Sequence, residues 1–150
     1  MGNTSWGSNI WIFLHSLMAK INHENFSENK NKLIEIIFKI CSNLPCPECS
    51  QHSISFLKTV QFKNVTKKED LIEILFVFHN QVNKNLNKSE FPENLLNNYK
   101  NNNIITVLNN FIISFNIKTN IPALMNQSFI RRNITKEIKS YITNNKHIFE

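Results

Sequence analysis

Glycine is almost missing from this chain, at two residues in 150. Tight hairpin turns rely on positive-φ backbone that glycine supplies most readily, so a β-sandwich or barrel is an unfavourable reading. Neither a P-loop nor a dinucleotide-binding glycine fingerprint can be assembled. Long apolar runs are missing too. The longest candidate, "IITVLNNFIISFNI" from Ile104 to Ile117, is interrupted by Asn109 and Asn110. It falls short of the roughly 18 residues that cross a bilayer, so no membrane span is expected. The opening "MGNTSWGSNIW" has no basic stretch followed by an apolar core, so secretion is not expected either. It begins Met-Gly, but Trp6 stands where the myristoylation pattern wants Ser or Thr.

What is present describes a folding chain. Hydrophobic residues make up 41% and aromatics 11%, with 12 phenylalanines, which suffices for one substantial core. The net charge is +6. Its lysines are scattered among Asn and Glu, so a solvated basic surface is expected and no nucleic-acid partner. Asparagine is abundant and reads as a compositional bias.

Helical spacing runs through most of the chain. "SNIWIFLHSLMAKI" places Ile10, Leu14, Leu17 and Ile21 in step, with Ser8 or Asn9 as a start cap. "NKLIEIIFKICSNL" puts Leu33, Ile36, Ile37 and Ile40 on one face, and Leu44-Pro45 is expected to end it. A third helix is expected from the paired cysteines through "SQHSISFLKTV". In "TKKEDLIEILFVFHNQVNKNL", Thr66 and Glu69 suggest a capping box, and Leu71, Ile74, Leu75, Phe78, Val82 and Leu86 trace a stripe. Beyond Phe91-Pro92 lie one or two further helices. Pro122 interrupts again, and "ITKEIKSYI" predicts a short last helix. The fold class is therefore all-α: a small bundle of four to five helices over residues 1–100, with residues 101–150 as a helical extension that carries no motif.

The chemistry centres on "NLPCPECSQH", Asn43 to His52. Zinc would need four ligands, and Cys46, Cys49, His52 and His79 are a conceivable set, though no second close pair exists. Two inert buried thiols are the plainest alternative. A redox pair is the better physical reading. Pro45 ends one helix and Pro47 suits the first turn of the next. Cys46 then lies at a helix N-terminus, where unpaired N–H groups and the dipole favour a thiolate. A thioredoxin fold is not expected, because the preceding segment has helical rather than strand periodicity.

Three segments in order carry a more specific signal. Trp11-Ile12-Phe13-Leu14-His15 comes first, then Cys46 and Cys49, then His79-Asn80-Gln81-Val82-Asn83 with Leu86 and Lys88 in step. Over about residues 6 to 92 this resembles the Erv/ALR family of FAD-linked sulfhydryl oxidases, most like members encoded by large cytoplasmic DNA viruses. The resemblance implies a small helical bundle holding FAD, usually as a homodimer, that forms disulfides in thiol-containing proteins. It implies that Cys49 faces the flavin, that Cys46 exchanges with substrate, and that electrons pass to O2 to give H2O2. It also implies FAD contacts for Gly7, Ser8, Trp11, His15, His79, Asn80, Val82, Asn83, Lys88 and Phe91, with Tyr99 closing the pocket. Without it, Trp11 would be a core aromatic, His15 a satisfied histidine, and Lys88 a solvated cation.

The chain departs from many cellular relatives. Phe76 to Phe78 offer no cysteine to brace the helix of His79, and Cys41 has no remaining partner within one chain. Substrate thus reaches Cys46 directly or through a thioredoxin-like relay protein. By the same resemblance the setting is the host cytoplasm or the virion. Two rival readings are a zinc-stabilised helical binding module and an inactive structural virion protein.

Overall fold

The computed structural model describes residues 5–117 and 121–150, without the side chains of Ser5, Pro122 and Ala123. Among the described residues there is no strand, and the all-α expectation holds. The helices are α1 (Ser5–Lys20), α2 (His23–Cys41), α3 (Pro47–Leu57), α4 (Lys68–Asn85), α5 (Ile104–Phe115) and α6 (Pro122–Asn144). Short 3-10 turns cover Phe62–Asn64, Glu93–Asn101 and Lys146–Phe149.

Several ends differ from their sequence signals. Helix α1 already runs from Ser5, so neither Ser8 nor Asn9 caps it, and the Asn9 amide instead bonds Ser114 Oγ on α5. Helix α2 stops at Cys41, short of Leu44-Pro45. Asn43 Nδ2 donates to Lys39 O, taking up a carbonyl of the last turn, and Leu44 N donates to Ser50 Oγ. The capping box of α4 is Lys67 with Asp70, one residue beyond the expected Thr66 with Glu69: Asp70 Oδ2 accepts from Thr66 N at 2.9 Å and Lys67 N at 3.1 Å. Pro122 opens α6 rather than breaking a helix, because the first helical position needs no N–H partner. The last helix is accordingly much longer than "ITKEIKSYI".

Helix α1 is the centre of the packing. It touches α4, α5 and the 93–101 turn, while α2 packs on α3 and α6. Ile10, Phe13, Leu14, Leu17, Met18 and Ile21 are all fully buried, so α1 is covered on almost every side. Its C-terminal carbonyls are met by a cation from α4: Lys68 Nζ donates to Ala19 O at 2.9 Å and Ile21 O at 2.7 Å. On the opposite flank, Glu137 of α6 receives both Lys32 and Lys39 of α2, whose hydrogen bonds hold its carboxyl down at about 2. These groups are partly solvated, so the bridge contributes little to stability.

Helix α5 lies beyond residue 100, yet its side chains belong to the same hydrophobic cluster as α1. Phe111 is fully buried and its ring stacks on Phe13 at 4.6 Å. Phe111→Ala should therefore destabilise the whole chain by about 3–5 kcal/mol. Urea unfolding followed by circular dichroism measures this. A silent substitution would mean that α5 is not part of the cooperative core.

Candidate functional site

Three helices converge on one aromatic and polar cluster. Trp11 and His15 sit four residues apart on α1, hence on one face. Helix α4 brings His79 opposite them, where His15 Nε2 and His79 Nδ1 lie 2.9 Å apart and share a proton as donor and acceptor. Trp11 stacks on His79 at 4.1 Å and 6° between planes. Phe91 covers the other side, its ring 4.5 Å from His79 and 5.5 Å from His15. Tyr99 stacks on His15 at 4.8 Å. Trp11 also meets Phe78 edge-on at 5.1 Å, and Phe78 stacks at 4.9 Å on Phe56, near the C-terminal end of α3.

Both histidines are buried and held neutral. Loss of hydration, then the nearness of His79, pulls His15 down to about 3. Loss of hydration, then the Lys88 charge, pulls His79 down to about 4. A folded-state value below the unfolded 6.5 means that the unfolded chain binds protons more readily. The pair's contribution is thus fully present above about pH 6.5 and is lost progressively as pH falls toward 4 and 3. The melting temperature should fall across that window, and His15→Gln should flatten the slope. An unchanged slope in the variant would mean that His15 is not buried neutral.

The cysteines stand at the start of α3. Cys46 is its N-cap, Pro47 its first helical residue, and Cys46 Sγ accepts from Cys49 N at 3.2 Å. Cys46 and Cys49 form a disulfide, and both are half-buried against the core. A small crevice of about 50 Å³ opens on Cys49, lined by His52, Ser53, Val82, Asn85 and Leu86. A wider cleft of about 540 Å³ runs along α4 and is lined by Phe76, Asn80, Asn83, Lys84, Lys88 and Glu90 among others. Cys41 is fully buried, and burial pushes its thiol up to about 12, which makes it inert.

Trp11, His15, His79 and Phe91 are thus brought together, and Tyr99 joins them. Val82 borders the crevice at Cys49, and Lys88 borders the cleft. Gly7 is buried and Ser8 exposed in the first turns of α1, and neither is among the rings and bonds of the cluster. Asn80 and Asn83 are occupied within the chain: both poles of the Asn80 amide bond the backbone of Phe91, and Asn83 Nδ2 donates to Ser89 O. Phe56, Phe78 and Lys84 border the site without having been anticipated. Lys84 lies four residues after Asn80, a spacing that could have found it.

The zinc alternative does not survive. Cys46, Cys49, His52 and His79 are not gathered as one ligand set, and His79 Nδ1 faces His15. No group of three or more potential ligands occurs among the described residues.

A helical bundle with a disulfide at a helix N-terminus, and with buried neutral histidines and stacked rings between α1 and α4, defines a thiol–disulfide redox protein. The sequence profile of the Erv1/Alr family matches residues 8–103, and the chain belongs to that family. It is 34% identical over 83 residues to the FAD-linked sulfhydryl oxidase of African swine fever virus, covering 55% of this chain and 69% of that one. The probable FAD-linked sulfhydryl oxidase of fowlpox virus is 30% identical over 73 residues, covering 49% and 69%. A FAD-linked sulfhydryl oxidase of Arabidopsis thaliana is 29% identical over 86 residues, covering 57% and 44%. No solved structure matches the chain.

Proposed function

We propose that this chain is a FAD-dependent thiol oxidase that forms disulfide bonds in partner proteins. The Cys46–Cys49 disulfide at the N-terminus of α3, with Cys49 sharing a crevice with Val82 one turn along α4 from His79, is the observation that carries this reading.

The surroundings suit the cofactor. Its ring systems need flat, uncharged faces, and Trp11, Phe91 and two neutral imidazoles provide them. Trp11 and His79 are 4.1 Å apart, too close for a third ring between them, so a ring must use another face of the cluster. Its pyrophosphate needs cations, and Lys84 and Lys88 border the cleft. A cleft of 540 Å³ is within the usual range for ligand sites. These residues fit FAD. When bound, FAD supplies the two-electron acceptor that returns the cysteines to the disulfide, with O2 as final acceptor and H2O2 as product.

The chain's own steps follow from thiol exchange. A substrate thiolate attacks Cys46 Sγ, the Cys46–Cys49 bond breaks, and Cys49 leaves as a thiolate. Cys49 occupies the first turn of α3, where the helix dipole favours that charge. A second substrate thiolate then attacks the mixed disulfide and releases Cys46. The substrate has lost two electrons and two protons and gained one S–S bond, and the electrons rest in the Cys46/Cys49 dithiol. Cys49 as the cofactor-side sulfur and Cys46 as the exchanging one follow the family resemblance and are part of this proposal.

A thioredoxin-like relay as first partner, a homodimer, and a cytoplasmic or virion setting fit the viral relatives and are part of this proposal. Helices α5 and α6 would then brace α1 against a flavin site carried by residues 1–100. The test is to incubate the purified chain with a reduced protein and follow thiols and peroxide together. One H2O2 should form for each two thiols lost. Flavin-loaded protein that leaves thiols intact would favour the inactive structural reading instead.

A further inference from the structure

Past the end of α4 the chain reverses direction at Asn87, which takes φ of 56°, the left-handed conformation that asparagine tolerates better than most residues. It then runs back along α4, and two asparagines of that helix hold it. Asn83 O accepts from Lys88 N at 2.8 Å, and Asn83 Nδ2 donates to Ser89 O at 3.2 Å. One turn earlier, Asn80 Oδ1 accepts from Phe91 N at 2.7 Å while Asn80 Nδ2 donates to Phe91 O at 3.2 Å. Both poles of one amide are thus used on a single residue's backbone. Turning the amide over would set donor against donor and acceptor against acceptor, so only one orientation works. The residue so fixed is the one whose ring lies on His79 and His15.

We infer that Asn80 is a positioning residue that sets Phe91 on the histidine pair, and that it acts on the cofactor through Phe91 rather than by contact. The inference rests on the FAD reading for its consequence but not for its geometry. Each pole of the Asn80 amide already holds one bond to Phe91, so a ligand reaching Asn80 from the cleft would have to share that amide with the latch. Aspartate in its place keeps the acceptor for Phe91 N but sets a carboxylate oxygen against Phe91 O and adds a negative charge to the cleft that Lys84 and Lys88 border. Alanine loses both bonds.

The test combines amide exchange with a double-mutant cycle. In the flavin-free protein, Asn80→Ala should speed exchange of the Phe91 amide about tenfold, the effect of losing one or two ordinary hydrogen bonds. Asn80→Asp, with one bond kept and one contact made repulsive, should give protection between that of wild type and Asn80→Ala. FAD affinity should fall by a similar factor of about ten in Asn80→Ala. In a Phe91→Ala background, Asn80→Ala should bring no further loss. Equal losses of affinity in both backgrounds would show that Asn80 acts directly on the cofactor, and would overturn the inference. Unchanged exchange at Phe91 would overturn it as well. Should Asn80→Ala not fold, Asn80→Ser, whose side chain is too short to bond both Phe91 N and Phe91 O, carries the same decision. Wild-type protein that takes up no FAD would sink the functional reading, while exchange would still decide the latch.

Discussion

Cys49→Ser should abolish thiol-driven oxygen consumption, lowering it by about a thousandfold or more while leaving fold and flavin in place. The substitution exchanges one sulfur for oxygen at a half-buried position in the first turn of α3, so helix and packing should persist. What disappears is the leaving thiolate. Cys46 is left as a lone thiol with no disulfide to offer, and Cys41 cannot replace the missing sulfur because its thiol is fully buried and pushed up to about 12. Cys46→Ser should be as inactive toward protein substrate. The two variants should still differ: a disulfide-bearing probe should capture Cys46 in Cys49→Ser faster than it captures Cys49 in Cys46→Ser. That difference reports which sulfur exchanges with substrate. Oxygen-electrode traces and mass spectrometry of the captured adducts measure both. Wild-type turnover in Cys49→Ser would remove the pair from the mechanism.

Trp11→Ala carries the second large effect, and it separates ring from bulk. Trp11 is buried, stacks on His79 and meets Phe78, so its loss should cost about 3–5 kcal/mol of stability. It also removes a flat face from the cofactor side. FAD affinity should fall ten- to hundredfold, which corresponds to about 1.4–2.8 kcal/mol. Trp11→Phe keeps an aromatic face at smaller size and should recover most of the affinity while recovering only part of the stability. Fluorescence titration with FAD and thermal melts of the three proteins would decide. If affinity and stability fell in proportion across both variants, Trp11 would be a core residue and nothing more.

The local signals in the sequence were strong where one helix buries one face. The stripe positions Leu71, Leu75 and Phe78, and likewise Leu33, Ile36, Ile37 and Ile40, lie inside. The proline-boxed cysteines start a helix as their neighbours require, because a proline at the first helical position and an N-cap beside it are properties of adjacent residues. Pairings across the chain were not legible. Nothing within "IITVLNNFIISF" says that Phe111 will lie on Phe13, and the length of α6 depends on its contacts with α2 and α5 more than on its own weak stripe. The cap of α4 was misplaced by one residue because Glu69 and Asp70 are both acidic, and only backbone direction selects the one that reaches Thr66 N and Lys67 N.

The asparagines teach the same lesson within the site. Family resemblance placed Trp11, His15, His79 and Phe91 near one ligand, and the fold does gather them. Asn80 and Asn83 share that motif, but their amides face a loop that returns only because Asn87 can take a positive φ. An asparagine that binds a ligand and one that ties down a loop are the same letter, and the partner lies several residues away.

The most direct measurement is the visible spectrum of the purified, dialysed full chain, recorded without oxygen before and after dithiothreitol and again after air is admitted. Retained flavin absorption, bleached by the thiol in wild type but not in Cys49→Ser and restored by air, is the expected result. A colourless protein, or a flavin band that dithiothreitol leaves unbleached in wild type, would contradict the assignment of Cys46 and Cys49 to a flavin-linked thiol oxidase.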